Sequence, residues 1–388
     1  MSITELTAIS RFYGAKADYV IAGGGNTSFK DAATLYVKGS GMALADAAPD
    51  SFVAMDRRAL GEIWNKTYPR DTDEREKAVL ADMMAARRAG EEGKRPSVET
   101  LLHDILPFAY VVHTHPALVN GLTCSVEGER AAADLFGDDH IWIPSTNPGY
   151  ILSLAVKEAM EKHRAKHGKP AALIFLQNHG VFVGADDIPG IQEWYRRIME
   201  GIGSRIRRRP DTGGELAAWG ASGSVAGALA ELAAAAGETL KTVFLRNNEI
   251  AAVVRDRASF YPLSSAFSPD HIVYAGSDPL FVEVPEPGAG TAALKKAWDG
   301  RIGGTEQGGG ASRGRIPKIV ALQGMGVFGL GTSEKGAKTA VELFNDAVKI
   351  AVYAESFGGP RFMTQAQIDF INNWEVERYR SKVTGTAS

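Results

Sequence analysis

The 388 residues are 45% hydrophobic and carry 43 Lys and Arg against 46 Asp and Glu, a net charge of -3. That length suits two domains of ordinary size, each able to bury a core, and the near-neutral balance excludes the broad basic field that would draw the chain to nucleic acid or an anionic membrane. A single cysteine, Cys124, excludes an intrachain disulfide and argues against a thiolate metal site.

In chain order, the N-terminus lacks a basic segment followed by an apolar core, and no apolar run approaches the roughly 18 residues of a membrane span. The expectation is a cytoplasmic protein with a small-molecule ligand. Gly23-Gly24-Gly25-Asn26-Thr27-Ser28 comes next, then the strand-like run Thr34–Lys38 and Lys38-Gly39-Ser40-Gly41. Their N–H groups, hydroxyls and one ammonium form either a nest suited to phosphate or a pair of tight turns. Further strand-like runs at Phe52–Met55, Ala109–His113 and Ala171–Leu176 alternate with helical stretches at Asp73–Ala89, Val98–Leu106 and Gly149–His167, an α/β pattern. Arg205 to Gly214 breaks an apparent helix and leads into small residues, which sets domains at residues 1–208 and 215–388.

The second half opens with an Ala-rich helix, Val225–Val243, followed by strand-like runs at Ile250–Val254, His271–Tyr274, Leu280–Val284 and Ile316–Leu322, and ends in helices. It too reads as α/β. A glycine-rich loop over 301–314 is expected to be mobile, as a ligand cover or a surface insertion. Gly324-Met325-Gly326-Val327-Phe328-Gly329 matches G-x-G-x-x-G, but no second strand with an acidic end follows, so a structural turn is expected ahead of a dinucleotide site. Leu173 to Gly184 is echoed by Ile319 to Gly331, with Met325 where the first copy has His179.

His113-Thr114-His115 closes one apolar run and Gln177-Asn178-His179-Gly180 closes another. Imidazoles on alternate residues at one strand end, with a third from another, suit a metal ion; they equally suit histidines hydrogen-bonded at strand termini. His103, His163 and His167 sit in helical or polar contexts and read as exposed or capping residues. Glu99, in Ser97-Val98-Glu99-Thr100, reads as a first-turn carboxylate, or beside a metal as a general acid/base.

Gly-Asn-Thr-Ser, Lys-Gly-Ser-Gly, Ser-x-Glu-Thr, His-Thr-His-Pro and Asn-His-Gly occur together in an order and spacing that resemble the class II aldolase/adducin family over most of residues 10 to 200. Within that family the chain resembles the aldolase part of bifunctional rhamnulose-1-phosphate aldolase/lactaldehyde dehydrogenase proteins, which carry segments like Ser268-Pro269-Asp270-His271, Phe357-Gly358-Gly359 and Trp374-Glu375, and it is expected to stop short of their dehydrogenase domain. The resemblance implies a three-layer α/β/α catalytic domain followed by a second α/β region without metal ligands. It implies one divalent metal per chain on His113, His115 and His179, usually zinc, with Mn2+, Co2+ or Mg2+ as alternatives. Glu99 would be the catalytic acid/base. Asn26, Lys38, Ser40, Gly41 and Ser97 would hold phosphate, and His271 is a candidate substrate contact. Ser97-Val98 stands where the family commonly has two serines, so one phosphate hydroxyl is missing. The implied activity is cleavage of a ketose 1-phosphate, such as rhamnulose or fuculose 1-phosphate, to dihydroxyacetone phosphate and an aldehyde, in a homotetramer and without a lysine Schiff base. Epimerase, dehydratase or decarboxylase chemistry and a silent adducin-like module are the alternatives.

Overall fold

A computed structural model describes residues 2–213, 222–303 and 315–374. Contacts divide the chain into two units, Met1–Thr123 with Glu127–Arg205 and Cys124–Val126 with Ile206–Ser388. Most of the 301–314 loop, the small-residue stretch after Gly213 and Glu375 lie outside the described residues.

The first unit holds a seven-stranded sheet: β1 (Asn26–Lys30), β2 (Thr34–Lys38), β3 (Phe52–Asp56), β4 (Tyr110–Thr114), β5 (His140–Ile143), β6 (Leu173–Leu176) and β7 (Gly180–Ala185). Their order is β3-β2-β1-β4-β7-β6-β5, antiparallel throughout except between β5 and β6. Strand side chains alternate between faces, and both faces are covered. Val111, Ile174, Leu176 and Phe182 pack with Leu102 and Leu106 around helix Thr100–Ile105 and with Leu152 and Val156 of helix Tyr150–His167. On the other face Phe175 meets Phe136 of helix Gly128–Phe136 at 5.2 Å, and Thr114 Oγ1 hydrogen-bonds the Tyr195 hydroxyl of helix Ile188–Arg205 at 2.7 Å. Helix Thr100–Ile105 is too short to stand alone in water. Burial of Leu101 and Leu102 holds it, at about 1.5–3 kcal/mol per side chain.

The second unit carries β8 (Lys241–Leu245), β9 (Leu280–Val282), β10 (Ile319–Leu322) and β11 (Gly326–Gly331) in the order β8-β11-β10-β9. This arrangement repeats β4-β7-β6-β5: two antiparallel pairings followed by one parallel pairing. The echoed hairpins share their register, with Leu173↔Val183 through Leu176↔Gly180 matched by Ile319↔Gly329 through Leu322↔Gly326. Because His113 opposes Phe182 in one sheet and Phe244 opposes Phe328 in the other, Phe244 stands at the place of His113, Arg246 at that of His115 and Met325 at that of His179. The repeat kept the scaffold and replaced all three imidazoles.

Several elements of this half differ from the sequence expectation. The Ala-rich helix is Ser222–Ala235, and Lys241 already begins β8. The runs at 250–254 and 271–274 are not strands; they fall in helices Asn248–Val253 and Pro269–Ala275. Short buried apolar runs carry no period that separates helix from strand. The local caps decide: the Asn247 side chain accepts from the Ile250 N–H, and Pro269 occupies the first helical position. The G-x-G-x-x-G segment forms the β10–β11 turn and runs into an antiparallel strand, whereas a pyrophosphate needs that turn to open a helix. Among the described residues, no helix is long and apolar enough to cross a membrane.

Candidate metal centre

The site grows from one row of the first sheet. Asn26 on β1, His113 on β4 and Phe182 on β7 lie directly opposite one another, so their side chains share a face. His113 is fully buried, its ring stacked on Phe182 at 3.9 Å between centroids, and its Nδ1 donates to the Val181 carbonyl at 3.0 Å. That bond fixes the tautomer and leaves the Nε2 lone pair facing the site. His115 follows just beyond the strand, its N–H donating to the Tyr19 carbonyl. His179 comes from the β6–β7 turn, where Asn178 takes a left-handed conformation with φ 58°. The next residue must be glycine: a Cβ at Gly180 would lie 2.6 Å from the Thr114 carbonyl oxygen and 2.7 Å from His115 Cδ2.

One nitrogen from each of His113, His115 and His179 falls within 4.8 Å of the others, and the Nε2 atoms of His113 and His115 are 2.8 Å apart. Glu99 completes the group. Its Oε2 lies 3.5 Å from His113 Nε2 and its Oε1 3.6 Å from His179 Nε2. The Glu99 side chain makes no cap to its own helix, and Oε1 is buried without a hydrogen bond. An orphaned carboxylate oxygen beside converging imidazoles is what a cation would satisfy. The residues present fit a divalent metal on three imidazoles with Glu99 beside it.

The opposite expectation for His103 is overturned: it is neither exposed nor a cap. It lies one helical turn after Glu99 and faces the sheet, fully buried. Its Nε2 bonds to Asn26 Oδ1 and its Nδ1 to Ser28 Oγ at 2.7 Å, while Asn26 Nδ2 donates to Glu99 Oε2 at 2.6 Å. The spacing of four from Glu99 was the available signal, since it puts both residues on one helix face. His163 is buried as well, and His167 sits 3.2 Å from Asp138. Helical periodicity, not the polar neighbours, sets their exposure.

Lys30, on the same face of β1, donates to the His103 carbonyl at 2.6 Å. Pro107 has no N–H to offer that carbonyl, so the amine caps the helix end. Burial pulls Lys30 down to about 7, against a smaller opposing effect of Asp104. The unfolded chain then holds a proton that the folded one has released between about pH 7 and 10, so stability rises with pH over that window, by at most about 1.4 kcal/mol per unit from this group. Lys318 in the second unit, lowered to about 8 by burial, adds with the same sign. Urea unfolding from pH 7 to 9.5 is expected to show a midpoint rising with pH in the wild type and a shallower slope in Lys30→Met. An unchanged slope would place the titration elsewhere.

The Lys38 and Ser97 segments meet through the backbone. Ser97 N–H donates to the Lys38 carbonyl, Ser40 N–H to the Arg95 carbonyl, and Glu99 N–H to Ser97 Oγ. Lys38 is buried and its Nζ reaches the Gly39 carbonyl at 3.2 Å, while Ser40 and Gly41 are half-exposed, Gly41 with φ 83°. His271 belongs to the second unit, where it is buried in helix Pro269–Ala275, its Nδ1 bonded to Ser268 Oγ and its Nε2 3.5 Å from Asp346 Oδ2.

Residues 4–196 match the family model of the class II aldolase and adducin N-terminal domain. A curated Bacillus subtilis (strain 168) protein described as the uncharacterized oxidoreductase YuxG is 23% identical over 409 residues, covering 97% of this chain; the chain spans 58% of that protein's length. Among solved structures, the N-terminal class II aldolase domain of a conserved Thermoplasma acidophilum protein is 27% identical over 52% of this chain and 91% of its own, with a TM-score of 0.42. An L-fuculose 1-phosphate aldolase is 18% identical, covering 53% of this chain and 86% of its own, with a TM-score of 0.36. YgbL from Klebsiella pneumoniae, provisionally assigned as an aldolase, epimerase or decarboxylase, is 16% identical, covering 53% and 89%, with a TM-score of 0.37.

Proposed function

Residues 4–196 of this chain belong to the class II aldolase and adducin family, and on that premise we propose that the protein is a divalent-metal-dependent aldolase. Its substrate would be a ketose 1-phosphate of the rhamnulose or fuculose type, cleaved to dihydroxyacetone phosphate and an aldehyde. The observation that carries this reading is the unbonded Glu99 Oε1 facing the three-imidazole cluster. His113, His115 and His179 would hold the ion, and a donor set of neutral imidazoles favours zinc. The bound cation supplies Lewis acidity, lowering the cost of the negative charge left on the substrate as the C–C bond breaks.

The chain's own groups do the rest. Glu99 Oε1 gives a proton to the carbon left by the cleaved bond, and the proton of the hydroxyl that becomes the aldehyde carbonyl passes to a second base. Asn26 keeps Oε2 occupied, so one oxygen is anchored and the other is available. The half-exposed Ser40 and Gly41, with Lys38, Ser97 and the second N–H of Asn26, bind the phosphate and orient the substrate. Assembly as a cytoplasmic homotetramer belongs to the same proposal. The YuxG description concerns a longer protein and is not carried over.

The test is product analysis on a panel of ketose 1-phosphates and pentulose phosphates, with and without a strong chelator. Dihydroxyacetone phosphate plus an aldehyde, lost on chelation and restored by zinc, is the expected result. Epimerised, dehydrated or decarboxylated products would assign another chemistry to the same groups. Full activity in chelator, or no turnover with metal bound, would sink the aldolase reading.

A further inference from the structure

Four buried side chains form a hydrogen-bonded chain with one polarity. Glu99 Oε2 accepts from Asn26 Nδ2, Asn26 Oδ1 accepts from His103 Nε2, and His103 Nδ1 accepts from Ser28 Oγ. Glu99, Asn26, His103 and Ser28 are each at least nine-tenths buried, so water does not scramble the pattern. The His103 ring is further seated edge-on against Phe182 at 5.5 Å.

The polarity is forced. Burial, with a smaller effect from the nearby His113, holds His103 well below the usual histidine range, so the ring is neutral and has a single N–H. With that proton on Nε2, the Asn26 oxygen must face the ring and its NH2 must face the carboxylate. With the proton on Nδ1 the amide would turn over and set its oxygen against Glu99 Oε2, two acceptors at hydrogen-bond distance. The ring proton thus decides which end of Asn26 meets Glu99, and so whether the carboxylate is anchored through Oε2 with Oε1 left unbonded beside His179.

We propose that His103, in its Nε2–H form, is a positioning residue that locks the Asn26 amide so that Glu99 presents Oε1 to the His113, His115 and His179 cluster. This deepens the aldolase reading and rests on it for the role of Glu99. His103 itself touches neither the cluster nor the substrate.

Two amide substitutions separate positioning from mere filling of space. In His103→Gln the side-chain nitrogen takes the place of Nε2 and still donates to Asn26; in His103→Asn it reaches only the place of Nδ1. The expected result is kcat within about threefold of the wild type for His103→Gln and lowered about 30- to 100-fold for His103→Asn, the scale for partners that orient active groups. KM should stay within about threefold and bound metal unchanged in both. Equal impairment of the two variants with equal loss of thermal stability, or full activity in His103→Asn, overturns the proposal. A second readout needs no substrate: 15N spectra of protein labelled at histidine and asparagine should show His103 protonated at Nε2 alone, and the Asn26 side-chain amide shift should be kept in His103→Gln and moved in His103→Asn. An Nδ1–H ring, or an Asn26 shift indifferent to both changes, also overturns it. If the aldolase reading fails, the spectra still decide whether His103 sets the Asn26–Glu99 geometry.

Discussion

Glu99→Gln is expected to lower kcat for C–C cleavage at least about 10²-fold, within the range for loss of a general acid/base, while bound metal matches the wild type. Glutamine keeps the volume and keeps an oxygen for Asn26 Nδ2 but cannot carry a proton at the Oε1 position. The three imidazoles are untouched, so metal content separates loss of chemistry from loss of the site. Thermal stability should be little changed, since no partner of Oε1 is lost. Retained activity would remove Glu99 as the acid/base and leave the cluster without a proton carrier among the groups described. A fall in bound metal together with activity would instead make Glu99 part of the metal's own shell.

His113→Ala with His115→Ala is expected to abolish stoichiometric metal binding and, with it, turnover. One imidazole cannot replace three, and the second unit offers Phe244, Arg246 and Met325 at the corresponding places. His113 is also a core side chain stacked on Phe182, so its truncation leaves a cavity. His115→Ala alone is the cleaner variant, because that ring is half-exposed. Zinc at 100 times its dissociation constant should stabilise the wild type by about 2.7 kcal/mol through mass action, and His115→Ala should show much less of that shift. Elemental analysis and thermal melts with and without zinc measure both effects. Undiminished metal in the double variant would place the ion elsewhere.

The strand ends that deliver the three imidazoles could be read from the chain because the local signals agree. Apolar β4 runs into His115-Pro116 and apolar β6 into the polar, glycine-bearing turn Gln177-Asn178-His179-Gly180, so His113, His115 and His179 sit where those runs stop. β1 was less visible: Asn26-Thr27-Ser28-Phe29-Lys30 has no apolar alternation, yet all five residues are buried, because β2 and β4 flank it and polar partners meet its side chains. The same cause hid His103. Its place in a helix, beside Asp104, suggested an exposed or capping residue, and only the strand beneath that helix supplies Asn26 and Ser28.

By itself the sequence determined the alternation of elements, the three imidazoles and Glu99, and the hairpin that recurs in the second half, since each depends on residues close together in the chain. Only the tertiary structure decided that the recurrence extends to a whole four-stranded sheet, that 250–254 and 271–274 are helical, and that one buried histidine sets the polarity of the chain leading to Glu99. Those outcomes depend on strand pairing and burial between residues tens of positions apart, which local propensity and periodicity do not encode.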